Sequence, residues 1–526
     1  MRQLTALDAQ FLNVESATTA AHVAGLAILD PADGSVNRET LAALLLERLH
    51  LSPALSLRLV RVPFDLDRPY WATDPGFDIG NHLFEVTLPR PGDDRQLADE
   101  VARIHARRLD RSHPLWEMHL IHGLADGLIA VYTKVHHAAI DGVSGAETLA
   151  TLLDLTPDTC HTSAGRGRRG TAATKATKAA KAGKAGKAPV TAVETTSRGP
   201  EDDQEAVGPG LVEMLAGAAV RTATHPVRAL RAAVRAAGDL DAIPLAATLP
   251  GAKAIAQAAR FVTGDRHHRP ELPRLSAPRT PFNGPISARR HLSFGSVSLK
   301  DVKSIARVHG MSVNDIVMAL CTSALRSWLM ERDALPEQPL IAAVPVAVRT
   351  ANAKDLVGNQ ISAMVAPMPT DIADPQARLR KVGSTMNAAK RRFVTAPAGW
   401  LLELCSLLPA PVTSVASPAL FRLASAVPPI NLIISNVPGP QFPLYLCGGR
   451  ILSYYPLSVL TDMTGGVNIT CFSYDGMLDF GIVACPDRMD DVWGMLGHLR
   501  TALDELLDER VGDEFRDGVG IDLVAR

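Results

Sequence analysis

Apolar positions along the chain fall into two long stretches of strand-like and helix-like pattern, separated by an interval that has neither. In the first stretch, Val23–Leu29 and Leu128–Val135 are compact apolar runs of strand length. Arg38–His50, Arg95–Leu109 and Ala146–Leu155 repeat apolar residues at the spacing of an amphipathic helix. In the second stretch, Leu340–Val346, Ile430–Ile434, Gly466–Phe472 and Leu478–Val483 read as strands. Leu299–Val308, Val313–Met330, Asp374–Arg392 and Asp490–Leu507 read as helices. Strands interleaved with helices predict an α/β (α+β) protein with one lobe over residues 1–158 and a second over 280–526.

The interval between them divides in two. Residues 159–210 are a low-complexity linker. From Ala164 to Gly210 the chain is mainly Ala, Gly, Thr, Lys and Arg, with an acidic "EDDQE" near its end. Without an apolar period it cannot bury enough surface to offset chain entropy. Arg166, Arg168, Arg169 and five lysines at every third position from Lys175 to Lys187 make eight bases with no acid among them. This is either a solvated linker or a tether to an anionic membrane surface, where each base can add about 1 kcal/mol. Residues 211–279 regain helical character. Val227, Leu230 and Val234 share one face there, and Arg221, Arg228, Arg231 and Arg235 another, a pattern that suits a membrane interface or the protein's own body.

Charge and cysteine usage narrow the class. The formal net charge is −1, which does not point to nucleic acid. The six cysteines are scattered and form no CxxC pair, so neither a zinc knot nor a disulfide framework is signalled, in keeping with a cytoplasmic location. The N-terminal segment has no uninterrupted apolar core of the secretory kind, since Asp8 and Glu15 interrupt it. Leu404–Phe421 lacks charge over 18 residues, but Pro409, Pro411 and Pro418 break it into short pieces, either core or membrane-dipping.

The chemistry gathers in "KVHHAAIDGVSG", residues 134–145, where a strand gives way to a helix. Side chains of consecutive strand residues point to opposite faces, so only one of His136 and His137 can face a given cleft. A histidine so placed can take a proton from a hydroxyl. Asp141 can hold the backbone, start the helix or pair with a base, and Gly142 permits a tight turn. Adjacent histidines rarely ligate one ion, and no third ligand repeats nearby, so no metal is expected. There is no G-x-S-x-G elbow for a serine hydrolase. A purely structural histidine pair stays open on these residues alone.

"HHAAIDG" resembles the HHxxxDG motif of CoA-dependent acyltransferases with the chloramphenicol-acetyltransferase and condensation-domain fold. Further stretches follow in order: "LDAQFLNVES", "PLWEMHLIHGL" from Pro114, "TPFNGPISARR" from Thr280, "SVNDIVMAL" from Ser312, "GNQIS" from Gly358 and "ISNVPGP" from Ile434. Together they resemble the bacterial wax ester synthase/acyl-CoA:diacylglycerol acyltransferase family, of the actinobacterial triacylglycerol synthase type. The resemblance implies two similar lobes with a tunnel between them. It also implies long-chain acyl-CoA as a substrate rather than a bound cofactor, and His137 as general base. His136 and Asp141 would support the site, Gly142 would shape its turn, and Asn314, Asp315, Ser435 and Asn436 would lie near the cleft, with Asn314 as the candidate oxyanion donor.

The acceptor implied is diacylglycerol, giving triacylglycerol; a long-chain alcohol, giving wax ester, is the alternative. A catalytically weak homologue that binds lipid droplets is a third reading, against which the intact histidine motif argues. Location at the inner membrane face or on lipid droplets follows from the acceptor. Each motif also has a plain reading: Trp116 as a packing residue, Ser435–Pro440 as a rigid turn, and Asn314 with Asp315 as a helix start.

Overall fold

The computed structural model describes residues 2–31, 36–140, 151–157, 214–215, 217–220, 252–264, 277–347, 361–395, 412–413 and 430–518. Asp141, Gly142, the low-complexity interval, the stretch Arg221–Arg235 expected to be helical and nearly all of Leu404–Phe421 lie outside them.

Fifteen strands are described: β1 (Arg2–Gln3), β2 (His22–Asp30), β3 (Leu57–Val60), β4 (Tyr70–Thr73), β5 (Leu83–Thr87), β6 (Trp116–His122), β7 (Ile129–His136), β8 (His291–Ser298), β9 (Leu340–Ala347), β10 (Ile361–Met368), β11 (Leu432–Pro438), β12 (Tyr445–Leu446), β13 (Gly449–Leu457), β14 (Val467–Tyr474) and β15 (Met477–Ala484). They form two six-stranded mixed sheets and a small three-stranded one, β1-β4-β3. The first large sheet runs β12-β13-β2-β7-β6-β5 and the second β10-β9-β11-β14-β15-β8.

Period-two alternation builds the first lobe. Ile129, Val131 and Val135 of β7 join Ala27 and Leu29 of β2 in a core against the helix Arg38–Arg48. Ala130 and Tyr132, pointing the other way, join Leu26 and Ile28 against the helix Asp94–His105. A central strand covered on both faces reads as a continuous apolar run, which is why β7 is legible in the sequence. In the second lobe the helix Val313–Met330 is buried nearly all round, between the sheet and the helices Pro375–Thr395 and Val492–Gly518.

The lobes are not consecutive halves of the chain. β13 lies beyond residue 280, yet it pairs antiparallel with β2 in the first sheet. Its Tyr454 ring lies where any side chain at residue 25 would stand: a Cβ added to Gly25 would be 1.8 Å from the Tyr454 hydroxyl. Cores are shared as well. Phe472 and Tyr474 of β14 belong to the first lobe's core, and Leu292 and Phe294 of β8 pack with Leu97 and Val101.

One expectation is corrected here. Ser435–Pro440 is not a free-standing turn, because Ser435–Pro438 is the end of β11, paired in parallel with Thr470–Ser473. Pro438 is tolerated because it stands at the strand's last position. Among the described residues no single helix is long and apolar enough to cross a membrane. The bent pair Leu299–Val308 and Val313–Met330 has the length, but its apolar side chains form the second lobe's core.

Candidate active site

β7 delivers His136 as its last residue, and a tight turn begins at His137. The backbone is pinned on both sides. The His136 N–H donates to Leu115 O at 2.9 Å, the His137 N–H to Ala21 O at 2.9 Å and the Ala139 N–H to His136 O at 2.9 Å.

The two rings part company as the strand geometry requires. His136 is fully buried, and its Nδ1 accepts the Ala138 N–H at 3.0 Å. Nδ1 therefore carries no proton; the ring's proton is on Nε2, which faces Glu15 Oε1 at 3.5 Å. His137 points the other way, half-buried, its ring stacked on Phe11 at 4.0 Å and 7°. Of the pair, His137 is the less buried.

Glu15 is the residue that sequence reasoning missed. Its side chain is 2% exposed. Oε1 accepts the Ala21 N–H at 3.0 Å, and Oε2 accepts Arg111 Nη2 at 2.6 Å and Nε at 3.2 Å. Arg111 also donates to Leu12 O at 2.7 Å, which ties the end of the helix Ala6–Asn13 to the same point. Burial alone would raise the Glu15 carboxyl. The neighbouring His136 ring, the Ala21 amide and the Arg111 guanidinium together outweigh it and hold the group down at about 2. The carboxylate is ionised in the folded protein near neutrality.

Behind the motif lies a buried polar layer. Lys134 is fully buried, with Nζ donating to Arg107 O at 2.9 Å and Ile104 O at 3.3 Å and paired with Glu117 at 3.1 Å. Burial lowers its affinity for a proton, while Glu117 opposes that. His22 stands opposite His136 across the β2–β7 ladder, fully buried, with its ring edge-on to His105 at 4.6 Å. Burial pushes the His22 imidazole well below the usual range and that of His105 down to about 3, so both are neutral. The Tyr132 hydroxyl bonds His105 Nδ1 at 2.8 Å.

In the second lobe the structure joins two of the expected residues. Asn436 Nδ2 donates to Asn314 Oδ1 at 3.3 Å. Asp315 is a helix cap, as its plain reading held: Oδ2 accepts the Ser312 N–H at 3.0 Å and the Ser312 hydroxyl at 2.7 Å, and Oδ1 pairs with Lys390 at 2.8 Å. Ser435 lies in β11 opposite Thr470. The next residue but one, Val437, packs against the core that contains Ile140 of the histidine motif. Trp116 is a packing residue, its Nε1 donating to Leu55 O at 2.9 Å.

The sequence model for the wax ester synthase/diacylglycerol acyltransferase catalytic domain matches residues 4–317, and that for the family's C-terminal domain matches residues 357–507. The chain belongs to this family. It is accordingly an O-acyltransferase. A probable diacylglycerol O-acyltransferase of Mycobacterium tuberculosis is 32% identical over 510 residues, covering 96% of this chain and 98% of the relative. A putative one from the same species is 33% identical over 513 residues, covering 97% and 90%. The solved wax ester synthase/diacylglycerol acyltransferase of Marinobacter aquaeolei VT8 superposes with a TM-score of 0.62 at 26% identity, covering 96% of this acyltransferase and 98% of that chain. The first condensation domain of the CDA synthetase shares the fold alone, with a TM-score of 0.50 at 14% identity over 97% of each chain.

Proposed function

We propose that the enzyme transfers a long-chain acyl group from CoA to the free hydroxyl of diacylglycerol, with His137 as general base. The observation that carries this is the split between the two histidines: the His136 ring is fully buried with its Nδ1 accepting the Ala138 N–H, while the His137 ring is turned the other way, half-buried against Phe11. The names of the mycobacterial relatives support diacylglycerol as acceptor.

In this reading the imidazole takes the acceptor's proton as its oxygen attacks the thioester carbonyl. The tetrahedral intermediate then collapses, the carbon–sulfur bond breaks, and the leaving CoA sulfur takes the proton from the imidazolium. No acyl-enzyme is needed, because the thioester is already activated. Release of CoA thiol from palmitoyl-CoA, with diacylglycerol, with hexadecanol and with neither, tests the assignment; the product lipids name the acceptor. Thiol release that no acceptor accelerates would sink it.

The intermediate's oxyanion needs a donor, and the Asn314–Asn436 pair is the candidate. With Asn314 Oδ1 engaged by Asn436, the Asn314 amide nitrogen is the donor end. Asn314→Ala is expected to lower kcat roughly 100-fold with little change in KM for acyl-CoA. An unchanged kcat would remove Asn314 from this role.

The acceptor is a membrane lipid, and the eight bases between Arg166 and Lys187 are suited to anionic headgroups. Liposome binding is expected to fall partly between 0.1 and 1 M salt, as the screening length shrinks from about 10 Å to about 3 Å. Deleting residues 164–210 should abolish the salt-sensitive part and spare activity on detergent-dispersed substrate. The same salt response after deletion would make the segment a passive linker.

A further inference from the structure

Arg290, at the end of the "TPFNGPISARR" stretch, is 7% exposed and makes no ion pair among the described residues. Its acceptors are backbone carbonyls. Nη1 donates to Ser287 O at 2.6 Å and Arg289 O at 2.8 Å, both in its own lobe, and Nη2 donates across the lobe boundary to Thr18 O at 2.6 Å. Removing a guanidinium from water without a carboxylate partner is costly, and burial lowers its proton affinity accordingly.

Thr18 lies in residues 15–21, the segment between the helix Ala6–Asn13 and β2. The segment is folded on itself: the Ser16 N–H donates to Thr19 O at 3.0 Å, and the Ser16 hydroxyl accepts the Thr18 and Thr19 N–H groups at 3.2 Å. One end carries Glu15, which faces His136. The other end is Ala21, whose N–H is held by Glu15 and whose carbonyl holds the His137 N–H. One short strap thus touches both histidines. Two arginines hold it, Arg111 from the first lobe at Glu15 and Arg290 from the second at Thr18.

We propose that Arg290 is a positioning residue for the reaction: by seating the second lobe on Thr18 it fixes the strap that orients His137. The inference rests on His137 being the base. The planar guanidinium spans Ser287 O and Thr18 O with donors on separate nitrogens; a lysine, with a single nitrogen, would have to reach both from one point and loses the fork's fixed geometry. Misplacement of a base by a fraction of an ångström acts on turnover rather than on binding of a distant CoA moiety.

The test is a double-mutant cycle with purified full-length enzyme, palmitoyl-CoA and diacylglycerol. Arg290→Lys is expected to lower kcat roughly 10-fold, with KM for acyl-CoA within twofold. In the His137→Ala background the same change should cost nothing further, because a positioning residue has no effect once the group it positions is gone. If Arg290→Lys unfolds the protein, Arg290→Ala assayed with millimolar guanidinium replaces it, and partial recovery of kcat that potassium chloride does not give supports the role. Arg290→Lys at wild-type kcat, or an equal loss in both backgrounds, overturns the inference alone. Normal turnover by His137→Ala overturns the base reading and this inference with it.

Discussion

His137→Ala is expected to lower turnover about 100-fold or more while leaving the fold in place, as loss of a general base does. The ring is half-buried, and its stack on Phe11 is a contact worth about 1 kcal/mol. His136→Ala should behave differently. It leaves the buried Ala138 N–H without its acceptor and opens a gap beside Glu15, which keeps Ala21 and Arg111; an unpaired buried N–H costs about 1–3 kcal/mol. Its melting temperature should therefore fall, with a smaller loss of turnover in the fraction that stays folded. Steady-state CoA release and thermal melts on the two variants separate these outcomes. Near-normal release by folded His137→Ala would mean that the motif acts in some other way.

Acid is expected to destabilise the protein well before its carboxylates titrate. His22 and His105 are held neutral by burial first, and then by the charges of Lys134 and Arg290, which both feel. A base whose folded affinity for protons is lowered gives stability that is complete above its unfolded value of about 6.5 and drains away as pH falls below it. The unfolded chain binds protons there that the folded chain cannot. Each such histidine costs about 1.4 kcal/mol per pH unit in that window. Stability should therefore fall steadily as pH drops below about 6.5. Glu15 works in a separate window: held down at about 2, it loses its contribution only as pH falls below about 4.5. Urea unfolding at a series of pH values should show the slope, and His22→Phe with His105→Gln should flatten it. A slope unchanged in the double variant would place the acid sensitivity elsewhere.

Much of this architecture was legible in the sequence. β7, β9, β15 and the helix Val313–Met330 are covered on both sides, so their apolar runs stand out. The histidine motif was legible because its residues are adjacent in the chain. Glu15 was not: a single acid in an N-terminal segment has no periodicity, and its role arises from Arg111 and His136, both about a hundred residues away. β13 was not, because Ser453, Tyr454 and Pro456 dilute its apolar pattern and nothing local tells a strand which sheet it will join. Arg290 read as part of a family stretch, but its target carbonyl at Thr18 is 272 positions away.

That late strand has a consequence for how the chain is made. When β2 and β7 have left the ribosome, β2 still lacks its neighbour, which is encoded from residue 449 onward. Throughout synthesis of the intervening segment the nascent first lobe presents an unpaired, largely apolar strand edge, the kind of surface that recruits other chains. Cellular yield should thus depend on chaperone capacity more than the finished molecule's stability would indicate. A gene cut between the lobes should give an N-terminal fragment that aggregates unless the C-terminal fragment is supplied alongside it.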